Sequence, residues 1–190
     1  MKLFIAEKPS LAKAIAEEIG VKSRSGGSIA CNNDTVVTWC FGHLLEQAEP
    51  DEYLPDGVPL TSKGKKRWRL KDLPIFPKEW VVEPKNDAGV TRQLKLIGEL
   101  IGRAETVVNA GDPDREGQLL VDEVIEHFGC TKPVERFWVS AVDPASIRKG
   151  LKDLRENARY AGMRDAARAR SRADWLLGMN LSRAYTLLNK

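Results

Sequence analysis

Apolar and polar positions follow two different periods along this 190-residue chain, one typical of buried strands and one typical of amphipathic helices. Short apolar runs bounded by polar or glycine residues predict strands at residues 2–6, 28–31, 35–40, 105–110 and 134–139. Between most of these runs, apolar residues recur every three or four positions, the spacing of a helix that packs one face on a sheet. Strands that alternate with such helices predict an α/β fold with a mainly parallel sheet flanked by helices.

Start signals delimit several of these helices. Ser10 is suited to cap the first helix, because its hydroxyl can accept a hydrogen bond from a free backbone amide. Asn86 or Asp87 can cap the second helix in the same way. Asp143 followed by Pro144 places the favoured residue types at the first two positions of a later helix.

The segment from Ala48 to Lys85 interrupts the alternation. It holds six prolines and little periodicity, which predicts a long irregular excursion over the surface rather than a domain boundary. Within it, the stretch from Lys63 to Arg69 is basic and contains one aromatic residue, Trp68. Such a stretch is suited to contact nucleic acid, although a mobile, solvated loop would have the same composition.

From about Tyr160 the chain predicts a long helix rich in arginine. One helical face carries Trp175 and three arginines that follow each other at intervals of four: Arg164, Arg168 and Arg172. Arg170 and Asp174, also four apart, lie on a separate face. A guanidinium held by a carboxylate is suited to grip a phosphate, whereas a solvated arginine stripe is the simpler interpretation. The tail also needs a partner surface for its apolar residues, which are Leu176, Leu177, Leu181 and Leu187.

Composition narrows the class of protein. Hydrophobic residues make up 42% of the chain and charged residues 30%, as in soluble globular domains. No apolar run approaches the roughly 20 residues of a membrane span, so we expect no membrane partner. The three cysteines, Cys31, Cys40 and Cys130, lack metal-ligand spacing, and their odd number indicates free thiols in a reducing cytoplasm.

The net charge of +3 is unevenly distributed. Residues 151–190 carry nine lysines and arginines against four acids, whereas residues 1–150 carry 21 against 23. An acidic first part followed by a basic tail suggests a catalytic or metal site beside a surface that binds a polyanion. Solvated arginines alone would give the same asymmetry, so the interpretation depends on the motifs.

The densest group of acids follows the predicted strand at 105–110. Gly111 permits a tight exit, and three carboxylates then occur at every second position: Asp112, Asp114 and Glu116. In a parallel sheet they gather at the carboxyl edge of the strands, where α/β proteins place their ligands. They repel one another unless a cation or a basic group compensates their charge, and hard oxygen ligands suit Mg²⁺, with Mn²⁺ as the alternative. A solvated acidic turn that caps a helix is the competing interpretation, and the helix dipole explains Glu116 well.

A second ionic group follows the first predicted strand. Glu7 leaves the sheet at the same edge, so we expect it beside the acidic turn. Lys8 can neutralise excess carboxylate or hold a phosphate, although as a surface pair the two residues would contribute under ~1 kcal/mol. His43, after the strand at 35–40, is suited to carry a proton or contact a phosphate, or to make an ordinary structural hydrogen bond.

Several stretches together resemble bacterial DNA topoisomerase III, a family of type IA topoisomerases. They are FIAEKPS at 4–10, GHL at 42–44, GDPDREG at 111–117, RFWVSA at 136–141 and RADWLLGMN at 172–180. The acidic motif alone would fit any Toprim protein, whereas its combination with the tail motif is highly specific. The resemblance implies a Toprim (Rossmann-like) domain at 1–150 and the beginning of a helical, single-strand-binding domain at 151–190.

The resemblance also implies roles for individual residues. The acidic set that holds Mg²⁺ beside the scissile phosphate would be Glu7, Asp112, Asp114 and Glu116. Lys8 would contact that phosphate, and the pair Arg170 and Asp174 would position the DNA backbone, with Arg115 and His43 as supporting DNA contacts. The implied catalytic residues are therefore Glu7, Lys8, Arg170 and Asp174.

One departure from the family is large. Its nucleophile is a tyrosine far downstream, and Tyr53, Tyr160 and Tyr185 do not lie in that motif. We therefore expect an N-terminal part of a bacterial, cytoplasmic, nucleoid-associated enzyme, with single-stranded DNA and the downstream domains of the same enzyme as its partners. Such a part would bind metal but would not relax DNA alone. The alternatives are a non-catalytic Toprim binding module and a fragment of another Toprim enzyme, such as a primase or a nuclease.

Overall fold

The computed structural model describes residues 1–189 and divides into two compact units. The first unit comprises residues 1–45 and 84–167, and the second comprises residues 46–83 together with the chain from residue 168 onward. The excursion predicted at 48–85 thus lies almost entirely in the second unit. The domain bounds expected from the motifs, 1–150 and 151–190, group the segments differently and remain a prediction; residue 190 lies outside the described residues.

The secondary structure elements are numbered in chain order. The strands are β1 (Lys2–Ala6), β2 (Val21–Ser25), β3 (Ser28–Cys31), β4 (Thr35–Trp39), β5 (Leu45–Gln47), β6 (Val82–Pro84), β7 (Thr106–Ala110), β8 (Val134–Arg136) and β9 (Arg155–Glu156). The α-helices are α1 (Pro9–Ile19), α2 (Ala88–Arg103), α3 (Arg115–His127), α4 (Pro144–Lys152) and α5 (Ala161–Leu188). Short 3-10 helices span Pro50–Tyr53, Leu70–Asp72 and Asn157–Tyr160. Within residues 1–189, no helix has both the length and the apolar character that crossing a bilayer requires.

The main sheet has the strand order β2-β3-β4-β1-β7-β8-β9, and β5 pairs separately with β6. Its central strands β4, β1, β7 and β8 are parallel, and antiparallel strands flank them on both sides. This arrangement confirms the predicted α/β fold with a mainly parallel sheet. Ala6 at the end of β1 pairs with Trp39 on one side and with Ala110 on the other, so three strands end at one edge.

The central strand β1 explains why this sheet is covered on both faces. Leu3 and Ile5 point into a core that they share with α2 and α3. Phe4 and Ala6 point to the opposite face, into a core formed with α1 and α4. Burying each large side chain of this kind stabilises the fold by roughly 1.5–3 kcal/mol. An apolar run without alternation is therefore what a strand buried on both faces requires.

The predicted helix starts were partly right. Asp87 caps α2 by accepting from the amides of Gly89 and Val90, and Asp143 caps α4 in the same way. Ser10 was a wrong assignment, because α1 begins at Pro9, and Lys8 is the capping residue without a side-chain hydrogen bond. Proline at the first helical position has the required φ, and the amide that it lacks would have had no partner there, so α1 begins at Pro9 rather than after Ser10.

Two strands differ from expectation for reasons of context. β2 was not predicted, because all its residues are exposed and their sequence, Val-Lys-Ser-Arg-Ser, carries no apolar period. It forms by pairing with β3 at the edge of the sheet. β8 ends at Arg136 rather than at residue 139, because the chain leaves the sheet where Arg136 turns toward the acidic turn.

The second unit has a small core of its own around Trp175. The indole packs edge-on against Tyr53 and Trp80, with ring centroids 5.4 Å away in both cases, and its Nε1 donates to the carbonyl of Ala48 at 3.1 Å. Leu54, Val58 and Ile75 complete the buried cluster. Of the tail residues expected to need a partner surface, Leu176 packs on this core, whereas Leu177 and Leu181 are exposed.

The basic stretch from Lys63 to Arg69 is tied into the second unit. Lys65 pairs with Glu49, and Arg69 pairs with Asp72 at 2.5 Å. Trp68 stacks beneath the guanidinium of Arg183, whose Cζ lies 4.5 Å from the ring centroid. Contact of this stretch with nucleic acid stays a prediction.

Candidate functional site

The ends of β1 and β7 bring the first acidic residues together. These strands are parallel neighbours, and Ala6 is in register with Ala110, so Glu7 and the turn beginning at Gly111 leave the sheet side by side. The Glu7 Oε2 atom accepts a hydrogen bond from the Asp112 amide at 3.0 Å. The expected proximity of Glu7 and the acidic turn is therefore confirmed.

Lys8 neutralises one carboxylate of this turn. Its Nζ donates to Asp112 Oδ2 at 2.6 Å, and 48% of the lysine side chain remains exposed. The hydrogen bond that Lys8 donates to Asp112 is the main reason that the pKa of Lys8 is raised above its ordinary value. Of the two roles considered for Lys8, this contact provides the first, compensation of excess negative charge.

Asp114 and Glu116 lie at the start of α3. Asp114 caps α3, and its Oδ1 accepts from the Gly117 amide at 2.7 Å. Arg115 and Glu116 follow in the first helical turn, where both side chains are exposed. The helix-capping interpretation thus describes Asp114, while Asp112 makes the contacts with Glu7 and Lys8 described above.

Two glycines allow the turn to pack this tightly. A Cβ atom on Gly117 would lie 2.5 Å from the Asp112 amide nitrogen and 2.7 Å from Glu7 Oε2. A Cβ atom on Gly111 would lie 2.0 Å from the carbonyl oxygen of Gly117. Real Cβ contacts are not this short, so the approach of α3 to the turn depends on both residues lacking a side chain.

A buried arginine, which the sequence analysis assigned no role, holds the backbone of the turn. Arg136 is fully buried at the end of β8. Its Nη1 donates to the carbonyl of Gly111 at 2.8 Å and its Nη2 to the carbonyl of Asp112 at 2.8 Å. Nη1 also donates to the carbonyls of Asn109 at 3.1 Å and Phe137 at 2.6 Å. Burial lowers the pKa of Arg136 to about 10, which still leaves it charged near neutral pH.

Arg136 belongs to a polar network that lies beneath the acidic turn. This network was not predicted from the sequence. Its members are Asn109 on β7, Gln118 and Asp122 on α3, Arg136 on β8, and Asn157 before α5. The first four are almost fully buried, with Asp122 the most exposed at 3%. A signal was present in the sequence: Gln118 and Asp122 lie four apart among the apolar residues of α3, which places two polar groups on its buried face.

The remaining predicted residues lie elsewhere. His43 Nδ1 lies 3.8 Å from Glu123 Oε2, which makes a partly exposed pair. Arg170 and Asp174 belong to the second unit, where Arg170 Nε lies 3.7 Å from Asp174 Oδ2 and both side chains are largely exposed. A pair with this exposure contributes little to stability. The roles assigned to His43, Arg115, Arg170 and Asp174 stay predictions.

The chemistry of the donor set suits a hard cation. In residues 1–189, no three or more His, Cys, Asp or Glu side chains converge in the manner of a preformed metal site. Glu7 and Asp112 nevertheless place two carboxylates at one strand edge. Mg²⁺ commonly takes only one or two carboxylates and completes its shell with water and phosphate. The residues therefore fit a Mg²⁺ ion that is shared with a phosphate, and this assignment stays a prediction.

Comparison with known proteins gives three kinds of match. A family model described as the Toprim domain matches residues 2–142. DNA topoisomerase 3 of Haemophilus influenzae is 47% identical over 98% of this chain and 28% of that protein. The enzymes of the same name from Vibrio cholerae and Staphylococcus aureus are 45% and 37% identical, over 28% and 25% of their lengths and 100% and 97% of this chain. Full-length topoisomerase I from Thermotoga maritima aligns with a TM-score of 0.46 and 20% identity, over 81% of this chain and 21% of that one.

We predict that Gly117→Ala destabilises the protein and disturbs the acidic turn. The new methyl group would lie within 3 Å of both the Asp112 backbone and the Glu7 carboxylate, so both must shift, at a cost of about 1–3 kcal/mol in the free energy of unfolding. Denaturant unfolding measures this cost, and the NMR signal of the Asp112 amide reports the displacement. Gly102→Ala on α2 is the control, because nothing lies within 4 Å of its Cβ position. Equal effects of the two substitutions would contradict the proposed packing.

Proposed function

Because the chain belongs to the Toprim family, we propose that it forms the metal- and DNA-binding part of a type IA DNA topoisomerase of the topoisomerase III kind. In this proposal it holds Mg²⁺ and the backbone of single-stranded DNA at the point of cleavage. The whole enzyme then cleaves, passes and rejoins DNA strands without ATP. The observation that carries the proposal is the hydrogen bond between Glu7 and the Asp112 amide, which joins the two strand ends with Lys8 beside them.

The similarity to relatives supports this choice over other Toprim functions. The chain spans 28% of the length of the first relatives described above, so the activity of a whole enzyme is a matter of inference. The identity of 47% extends over 98% of the chain, including the tail that follows the Toprim match. A primase or nuclease fragment would account for the acidic turn but not for the tail motif at 172–180.

The carboxylates provide the metal ligands in this proposal. Glu7 and Asp112 would hold the ion, with Asp114 and Glu116 as further ligands from the start of α3. The ion would supply positive charge to the oxygens of a phosphate as negative charge develops there. Asp112 is suited to this task, because its backbone is fixed by Arg136 and Glu7 while its carboxylate contacts Lys8 near the surface.

Lys8 has a second task once DNA is bound. Its ammonium group donates to Asp112 Oδ2, and the same carboxylate would help to hold a divalent cation. With the charge of Asp112 compensated in that way, Lys8 would be free to bind a phosphate oxygen next to the carboxylate. Because the lysine is half-exposed, this exchange requires little desolvation.

The arginines of the tail would orient the DNA backbone. Arg170 presents a planar guanidinium that suits phosphate oxygens, and Asp174 four residues later would hold it in place. Arg115 and His43 would add contacts to the backbone at the edge of the sheet. Contacts of this kind depend on phosphate charge, so the chain should bind single strands of any base composition.

A magnesium titration tests the metal assignment. We expect added Mg²⁺ to shift the NMR amide signals of residues 111–116, and to do so weakly, because phosphate normally supplies part of the coordination. The double variant Asp112→Asn, Asp114→Asn should show no such shifts. The matched control Asp56→Asn, Glu99→Gln also removes two carboxylates and should behave like the parent. If Mg²⁺ shifted these signals in the first double variant as it does in the parent, Asp112 and Asp114 would be excluded as ligands.

Binding to single-stranded oligonucleotides tests the phosphate contacts. Affinity should fall steeply with salt, and Lys8→Met should reduce the slope of log K against log salt by about one. Lys13→Met removes a lysine of the same charge from an exposed position on α1 and serves as the control. Oligonucleotides of different sequence should bind alike. An unaltered slope in Lys8→Met would remove Lys8 from the DNA contacts.

A relaxation assay tests the overall function. We expect the chain alone to leave supercoiled DNA unchanged, because its tyrosines Tyr53, Tyr160 and Tyr185 do not lie in the motif that carries the nucleophile of the family it resembles. Adding the downstream part of a similar topoisomerase 3 should restore relaxation, and Lys8→Ala should abolish the restored activity. Relaxation by the purified chain alone would overturn this assignment of parts. Failure of every such mixture would instead favour a non-catalytic binding module.

A further inference from the structure

The polar network beneath the acidic turn has a fixed direction of donors and acceptors. Arg136 can only donate hydrogen bonds, and the Asp122 carboxylate can only accept them. Gln118 lies between the two: its Oε1 accepts from Arg136 Nε at 2.8 Å, and its Nε2 donates to Asp122 Oδ2 at 2.7 Å. Reversing the Gln118 amide would place donor against donor and acceptor against acceptor. The two charged residues therefore set the orientation of the amide between them.

A second route leads from the same carboxylate to the turn. Asn109 Nδ2 donates to Asp122 Oδ1 at 2.8 Å, and Asn109 Oδ1 accepts from the Gly111 amide at 2.9 Å. The first route continues through Arg136 to the carbonyls of Gly111 and Asp112. Both routes thus begin at Asp122 and end on the backbone of the turn, the first at Gly111 and Asp112 and the second at Gly111.

We propose that Asp122 is a positioning residue for the acidic turn, acting through Asn109 on one side and through Gln118 and Arg136 on the other. It holds the Gly111–Asp112 backbone in the conformation that places Asp112 against Glu7. This inference rests on the proposed function, because the conformation matters for activity only if the turn binds Mg²⁺. Asp122 itself lies below the turn and would touch neither metal nor DNA.

The chemistry of Asp122 suits this role better than a role in stability alone. A buried carboxylate is costly, and an apolar residue on α3 would pack at this position without that cost. Asp122 accepts from three side-chain amides, because Asn157 Nδ2 also donates to its Oδ1 at 2.8 Å. What a carboxylate adds is a set of acceptors that dictates which way each amide points. Groups that orient a metal ligand from behind typically change metal affinity about 10- to 100-fold when they are replaced.

Asp122→Asn is the informative substitution. It preserves size but replaces one acceptor with an NH₂ donor, which must face another donor in either orientation. Relief by reversal of Gln118 would only move the mismatch to Arg136. We expect the Kd for Mg²⁺ to rise about tenfold. Hydrogen exchange of the Gly111 and Asp112 amides, measured without metal, should accelerate by at least a similar factor.

A swapped pair and a control separate positioning from general damage. In Asp122→Asn with Gln118→Glu, the carboxylate moves to position 118, where it accepts from Arg136 and from the new amide at position 122. We expect this pair to recover part of the Mg²⁺ affinity and of the amide protection, because the new carboxylate also faces Asn157 Oδ1, which accepts from Gln118 Nε2 at 2.9 Å in the parent. Gln118→Glu alone places two carboxylates together and should lower both. Glu126→Gln removes a partly exposed carboxylate later on α3 and should leave both measurements unchanged.

The outcomes distinguish this inference from the proposed function. If the parent chain binds no Mg²⁺, the proposed metal site is wrong, and amide exchange alone decides whether Asp122 orders the turn. If the parent binds Mg²⁺ and Asp122→Asn changes neither affinity nor exchange, the inference is overturned. The inference is also overturned if the swapped pair loses as much Mg²⁺ affinity and amide protection as the two single variants lose together. Should Asp122→Asn fail to fold, Gln118→Met breaks the link between Asp122 and Arg136 without touching the turn, and unchanged exchange of the Gly111 and Asp112 amides in that variant contradicts the proposal.

Discussion

A buried guanidinium is the constraint on which the site depends. Arg136 donates to backbone carbonyls at the ends of β7 and β8 and in the acidic turn. A charge in this position is tolerable only because its donors have partners in the fixed fork geometry of arginine. Desolvation lowers its pKa to about 10, and the negative charges of Asp122, Asp112 and Asp114 act in the opposite direction. The acids that give the turn its chemistry thus also help to keep the arginine beneath it charged.

This arrangement fixes the backbone of the turn while leaving its carboxylates near the surface. The carbonyl of Asp112 is bound by Arg136 and its amide by Glu7, whereas its carboxylate meets a half-exposed lysine. A ligand that binds here therefore only has to displace the exposed ammonium group of Lys8. The backbone of Asp112 is already ordered before the ligand binds. Preorganisation of this kind reduces the conformational entropy that binding would otherwise cost. Gly111 and Gly117 belong to the same device, since their missing side chains let α3 begin directly against the turn.

The fold and the part of the site nearest the surface, formed by Glu7, Lys8 and Asp112, could be predicted from sequence because they depend on local patterns and on sheet geometry. An apolar run identified β1, and aspartates at helix starts identified the caps of α2 and α4. Parallel strands end at one edge, which brought Glu7 and Asp112 together in the prediction as in the structure. β2 was not predicted, because an exposed edge strand forms through pairing with its neighbour and its own residues need not show an apolar period. The buried polar network was not predicted for a similar reason, since Arg136 and Asp122 bind partners that lie up to 35 residues away in the chain.

The exposed charges and the buried polar groups of the site differ in whether they can change hydrogen-bond partners. Exposed charges such as Lys8 and Asp112 can change partners, because water compensates each of them when a contact breaks. Buried groups such as Arg136, Gln118 and Asp122 cannot, because each broken hydrogen bond would leave a polar atom unpaired in a low-dielectric interior. A site that accepts and releases a phosphate, as we propose for this turn, needs exchangeable charges near the surface and a fixed hydrogen-bond network in the interior. The hydrogen bonds of Arg136 to the carbonyls of Gly111 and Asp112 are where these two requirements meet, because they transmit the order of the interior to a turn whose side chains remain accessible.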